Sequence, residues 1–222
     1  KEWIKALKGH HKEVSDTKLK DGDSVSFVLE AKTTDQIIFM SDSGRFYTLL
    51  GDSLPRGNTA GEPLRLMIDL APEDCIIAAF VYERGIKLLL TATNGKGCII
   101  TSNTALSSTK AGKQIFNVGV GEKAHSCLRV VGDMVAIMGD NRKLLLFPVD
   151  EIPEIARGQG VLLQRYKGSN VSDITTFTLS EGLTWNLGNR TRSELELSTW
   201  IGKRGAIGKF PPVGFPRTNK FS

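Results

Sequence analysis

The sequence predicts an all-β chain of about five four-stranded blades arranged in the manner of a propeller. Two observations predict it. The first is a hairpin pattern that recurs: an apolar β-prone run, a short polar turn, a cation at or after the turn, and a second β-prone run. The stretch 37–49, with Ser43-Gly44-Arg45 at its turn, is the clearest copy. Gly in such a turn supplies the positive φ that a tight hairpin needs. The second observation is spacing. Gly44, Gly95, Arg142 and Asn189 hold the same place in four copies, 51, 47 and 47 residues apart, a period that suits one propeller blade. No segment of helical length sustains a 3.6-residue apolar period.

Taken in order, residues 1–36 read as the second half of one blade. Trp3, Ile4 and Leu7 supply its apolar positions, 8–12 form a basic loop, and Val25, Phe27 and Leu29 alternate with polar residues like a half-buried strand. The first complete repeat has its hairpin at 37–49, then Leu54-Pro55, a Gly-rich loop at 56–63, and strands at 64–70 and 76–81. The second has a hairpin at 88–100, a loop at 108–113, and strands at 115–118 and 126–131. The third has a hairpin at 135–147, with Arg142 where its relatives have Gly, a loop at 156–160, and strands at 161–165 and 174–179. The fourth, a weaker copy at 183–195, leads into 200–209 and a Pro-containing tail. Each repeat therefore carries a second feature, a Gly-rich basic loop after its hairpin.

A chain of 222 residues with 40% hydrophobic and 24% charged residues can bury a core, and residues 1–222 are read as a single domain. It opens on Lys1 already in strand-like alternation, so it is expected to be a piece of a longer protein. The formal charge of +5 permits a polyanionic partner without requiring one. Cys75, Cys98 and Cys127 fit neither a disulfide framework nor a zinc-ligand spacing and read as reduced core or half-core thiols of a cytoplasmic protein. No run reaches the roughly 20 apolar residues of a membrane span.

Several short motifs then appear in a shared order. Trp3-Ile4-Lys5-Ala6, Lys8-Gly9-His10, Ser43-Gly44-Arg45, Leu54-Pro55, Gly61-Glu62-Pro63-Leu64, Leu146-Phe147-Pro148-Val149 and Gly202-Lys203-Arg204-Gly205 span nearly the whole chain. In these the sequence resembles the C-terminal domain of the bacterial topoisomerase IV A-subunit. The resemblance implies a β-pinwheel, a propeller-like ring whose neighbouring blades exchange strands and whose basic rim binds and bends duplex DNA without reading its sequence. It also implies a non-catalytic, monomeric piece of an ATP-dependent type IIA topoisomerase. That enzyme acts in decatenation and supercoil relaxation, is cytoplasmic and nucleoid-associated, and has the rest of its own A-subunit and the B-subunit as partners. The related gyrase A domain carries a Gln-Arg-Arg-Gly-Gly-Lys-Gly box that is missing here; residues 109–113 and 157–160 come nearest. Gyrase A, or a propeller-type module that binds an acidic protein, are the alternatives.

The cations of the turns and loops are the candidate contacts. A Lys or Arg beside Gly lets the backbone approach a phosphate, whose oxygens its own N–H groups can also reach; repetition places such loops on one face, where their fields add. Residues 94–121 hold Lys96, Lys110 and Lys113 with no acid, and 197–222 hold Lys203, Arg204, Lys209, Arg217 and Lys220 with none. Lys5, Lys8, Arg45, Arg56, Arg142, Lys143 and Arg157 complete the set. No metal, cofactor or catalytic residue is expected: His10, His11 and His125 are scattered, Gly119-Val120-Gly121 is no dinucleotide fingerprint without a following helix, and 202–209 lacks the residues of a phosphate-binding Walker loop. Arg165-Tyr166 has the residue order of the type IIA nucleophile, but Tyr166 is read as structural, inside a blade strand. Trp3, Trp185 and Trp200 read as blade packing rather than base-stacking platforms.

Overall fold

The computed structural model describes residues 2–9, 19, 21–57 and 59–222, and residues 10–12 of the basic loop expected at 8–12, His10 and His11 among them, lie outside these. The strands in chain order are β1 (Trp3–Ile4), β2 (Gln36–Ser41), β3 (Arg45–Leu50), β4 (Glu62–Pro63), β5 (Ile76–Val81), β6 (Lys87–Ala92), β7 (Lys96–Thr101) and β8 (Lys113–Gln114). They continue with β9 (Ala124–Arg129), β10 (Met134–Gly139), β11 (Leu144–Pro148), β12 (Val161–Leu162), β13 (Val171–Phe177), β14 (Leu183–Leu187) and β15 (Arg190–Glu194). All four expected hairpins form: β2–β3, β6–β7, β10–β11 and β14–β15.

The chain divides into two compact units, residues 1–85 with 102–115, and residues 86–101 with 116–222. The first holds a four-stranded sheet in the order β5-β2-β3-β8 and a two-stranded sheet, β1-β4. Its core gathers Ile37, Phe39, Tyr47, Leu64, Ile68 and Leu70.

The second unit holds a four-stranded sheet, β12-β7-β6-β9, a three-stranded sheet, β11-β10-β13, and the hairpin β14-β15. Successive residues of β10 feed two cores. Val135 and Ile137 pack with Leu89, Ile99, Phe147 and Leu163, while Met134, Ala136 and Met138 pack with Phe177, Trp185, Phe215 and Phe221. A strand covered on both faces must be apolar at every position, which is why the hairpin runs read as unbroken hydrophobic stretches. The Pro-containing tail is part of this second core. Phe215 stacks against Trp185 with ring centroids 5.3 Å apart and meets Phe221 edge-on at 5.5 Å.

Strand exchange is visible in the pairing. β4 pairs with β1, β8 with β3 and β12 with β7, so the outer strands β3 and β7 are each closed by two residues that follow the next hairpin in the chain, and β1 by two that follow the hairpin β2–β3. For β11 the same place is taken by a bridge from Leu144 to Lys209. A parallel contact precedes three of the four exchanges: the amides of Ala6, Ile99 and Leu146 donate to the carbonyls of Pro55, Pro153 and Trp200 at 2.8, 3.1 and 2.9 Å.

Several expected strands differ. Residues 24–29 pair with no strand among the described residues, and Val25, Phe27 and Leu29 are exposed. In the repeat this stretch holds the place of β5, β9 and β13, each of which pairs with the inner strand of a hairpin; beside β1 the described residues contain no inner strand. Residues 64–70 are not a strand either: β4 ends at Pro63, a 3-10 turn covers Leu64–Leu66, and Leu64, Ile68 and Leu70 are buried from irregular backbone. The strand expected at 115–118 does not form, β8 lying just before it at Lys113–Gln114, and the one expected at 161–165 shrinks to β12, since only the exchanged pair of residues reaches each sheet. Among the described residues, two of the five sheets have four strands, the fourth being the two-residue β8 or β12.

Candidate nucleic-acid interface

The hairpin turns share one geometry. The amides of Gly44, Gly95 and Arg142 each donate to the carbonyl three residues back at 3.0 Å, and all three residues have positive φ, Arg142 at 64°. The third turn thus keeps its shape without Gly. The fourth differs: it has two residues, and the left-handed one is Gly188 rather than Asn189.

Because the turns match, the residue after each lands in one place, facing the exchanged strand. Arg45 Nε donates to the Ala111 carbonyl, Lys96 Nζ donates to Gln159 Oε1 at 3.4 Å, and Lys143 Nζ lies 3.5 Å from the centroid of the Phe210 ring. These three cations are spent in part on holding the exchange.

The glycines of the basic loops prove to have a different task from the one expected. Gly61, Gly112, Gly160 and Gly208 all have positive φ, and a Cβ on any of them would come within 3.0 Å of a carbonyl oxygen on the strand it docks against, those of Ile4, Phe46, Gly97 and Leu144. Only Gly allows that approach in that conformation. Close backbone approach is thus used between strands, and a phosphate would meet these loops through their side chains.

The side chains divide sharply. Arg142 donates to the carbonyls of Phe215 and Pro216 and to Asn219 Oδ1, each at 2.9 Å. Arg204 donates through Nε to the Glu151 carbonyl and through Nη1 to that of Leu162, both at 2.8 Å. Both guanidiniums, expected as DNA contacts, are turned into the fold, where their N–H groups are used on backbone carbonyls and Asn219. Arg56 pairs with Asp52, Lys5 donates to the Thr59 carbonyl at 3.3 Å, and Lys113, though exposed, donates to the Thr104 carbonyl at 3.0 Å. Lys8 is exposed. Lys110, Arg157, Lys203 and Lys209 are exposed and have no side-chain partner among the described residues.

Within the first unit, Arg45, Lys110 and Lys113 come together around Ala111. Within the second, Lys143 and Lys209 flank Phe210. Two cations escaped the sequence reading: Arg190 and Arg192 stand two residues apart on exposed β15, on one face of the strand. Their alternation was the available signal.

Tyr166 is taken up by the fold. Tyr166 lies not in a strand but in the loop after β12, its ring close against the α-carbons of Gly95 and Gly139. Its hydroxyl donates to Gln164 Oε1 at 2.7 Å, while Gln164 Nε2 donates to the carbonyls of Lys143 and Ile207 at 3.0 and 2.9 Å. Burial pushes the phenol well above its ordinary range. Burial also pushes the Cys98 and Cys127 thiols up to about 12; Cys75, expected at least half-buried, is exposed. Trp185 is buried in the second unit's core, as expected, and Trp200 Nε1 donates to the Phe210 carbonyl at 2.7 Å. Among the described residues no helix is long and apolar enough to cross a membrane.

The sequence pattern of the family described as DNA gyrase C-terminal domain, beta-propeller, matches residues 35–83 and 133–172. The DNA topoisomerase 4 A-subunit of Rickettsia bellii is 46% identical over 220 residues, which is 99% of this chain. The chain belongs to the C-terminal domain family of the topoisomerase IV and gyrase A-subunits. It spans 30% of the length of that relative. The E. coli ParC C-terminal domain superposes with a TM-score of 0.84 at 23% identity, covering 97% of this chain and 92% of that one. A crystal structure of the C-terminal domain of DNA topoisomerase IV gives 0.77 at 15% identity over 97% and 72%. The fold of the family is the β-pinwheel form of the propeller, and the exchanged strands β4, β8 and β12 are its mark here.

Proposed function

We propose that this chain is a non-catalytic domain that binds and bends duplex DNA, guiding the transported segment for a topoisomerase IV. The parent enzyme would work with its B-subunit, hydrolyse ATP, decatenate and relax DNA, and act at the nucleoid in the cytoplasm. The observation that carries the reading is the set of exposed cations Lys110, Lys113, Arg157, Lys203 and Lys209 on the loops that follow the hairpins, in a chain of this family. Two of those loops lie in stretches without an acid, so their fields are not cancelled locally. Exposed Lys and Arg neutralise phosphates regardless of base sequence and displace condensed counterions.

Charge reversal at Lys110 and Lys113 tests it. The double variant is expected to bind plain duplex at least about tenfold more weakly at low salt, with a salt slope shallower by about one unit per lost contact, and to keep its fold by circular dichroism. Affinity equal to the parent's would remove both residues from the interface.

A further inference from the structure

Phe210 is out of place for a residue of its kind. It is 64% exposed, in a loop that also leaves Ile207 48% exposed. The backbone beneath it is fixed: Lys209 N donates to the Leu144 carbonyl at 2.9 Å, Leu144 N donates to that of Lys209 at 2.7 Å, and the Phe210 carbonyl accepts from Trp200 Nε1 at 2.7 Å. In the other exchanged strands the matching position is held by Pro63, Gln114 and Leu162, each half-buried. Here alone among those copies an aromatic stands out of the surface, with Lys143 Nζ 3.5 Å over its ring and Lys209 next to it.

A scattered exposed apolar residue needs no explanation, but a pinned aromatic flanked by two lysines has the make-up of a DNA wedge. Minor-groove architectural proteins insert such a side chain between base pairs, unstack the step and kink the duplex, while neighbouring cations take the phosphates on either side. The cation–π contact fixes where the ring stands before DNA arrives; on insertion Lys143 leaves the ring face for a phosphate. We propose that Phe210 is a wedge that enters one base step of the bound duplex, with Lys143 and Lys209 on the flanking phosphates. This rests on the DNA reading above and adds a local kink to a path otherwise set by charge.

The test uses the 222-residue chain with Phe210→Ser and Phe210→Leu, and duplexes of about 30 base pairs labelled at both ends for energy transfer. The parent should bend the duplex and prefer one carrying a central mismatch, which is easier to unstack. Phe210→Ser should bend it by at least about 20° less and lose the mismatch preference, with its salt slope unchanged. Phe210→Leu should retain both properties, since Leu also serves as a wedge. If the parent binds DNA and Phe210→Ser bends it equally, the wedge is wrong and the DNA reading stands; Phe210 would then be a candidate for a protein contact. If the parent does not bind duplex at low salt, the DNA reading and the wedge fall together.

Discussion

The Arg142 guanidinium donates to the Pro216 carbonyl 2.9 Å away, across 74 residues of chain. Two more of its bonds, to Phe215 and Asn219, fasten the segment whose Phe215 and Phe221 rings complete the core around Trp185. Arg142 does this from a left-handed backbone, φ 64°, where the first two hairpins use Gly. A left-handed non-Gly residue costs roughly 1–2 kcal/mol, which the clamp must exceed.

Arg142→Gly and Arg142→Ala separate the two effects. Both lose the clamp, but only Gly relieves the backbone, so Arg142→Ala should be the less stable by about 1 kcal/mol in urea denaturation. Both should expose the tail to proteolysis. An Arg142→Gly variant more stable than the parent by the full backbone relief, about 1 kcal/mol, would show that the clamp contributes nothing.

The seam glycines allow a matched comparison. Gly160 and Gly121 have φ of 73° and 76°, but a Cβ on Gly160 would strike the Gly97 carbonyl, while one on Gly121 meets nothing within 4 Å. Gly121→Ala should cost about 1 kcal/mol for the backbone alone, and Gly160→Ala at least about 2 kcal/mol more, because β12 must lift from β7. Equal costs by urea midpoint would contradict the seam.

His125 gives the fold a pH dependence. Burial, aided by the Lys220 charge and opposed by the Ser172 carbonyl and Asp173, holds its imidazole below the ordinary 6.5. Below pH 6.5 the unfolded chain therefore takes up a proton that the folded chain resists, and stability falls as pH drops from 6.5 toward the depressed folded value. Replacing His125 by Gln should remove that component, so the parent should lose more stability than the variant between about pH 7 and pH 5. Parallel pH profiles would exclude His125 as a source.

The hairpins were legible because their signals are local: apolar runs β2, β6 and β10, with Gly44 and Gly95 at the turns. The period carried the blade reading for the same reason. The exchanged strands were only half legible, since β8 and β12 are two residues long and draw their register from Gly112 and Gly160 meeting another strand. Alternation at Val25, Phe27 and Leu29 predicts a strand that has no partner strand among the described residues, and pairing is not a property of the segment itself. The cations were the least legible. Arg142 and Lys110 look alike in the sequence, yet one is bound to the tail and the other is exposed, because the difference lies in what the chain brings up from 74 residues away.

The central claim is that this domain holds duplex DNA through its exposed loop cations, and the salt dependence of affinity tests it most directly. Contact with about six phosphates should make log K fall against log salt with a slope near −5, and the slope should be the same for unrelated duplex sequences. An affinity independent of salt, or no binding to duplex at low salt, would contradict the account.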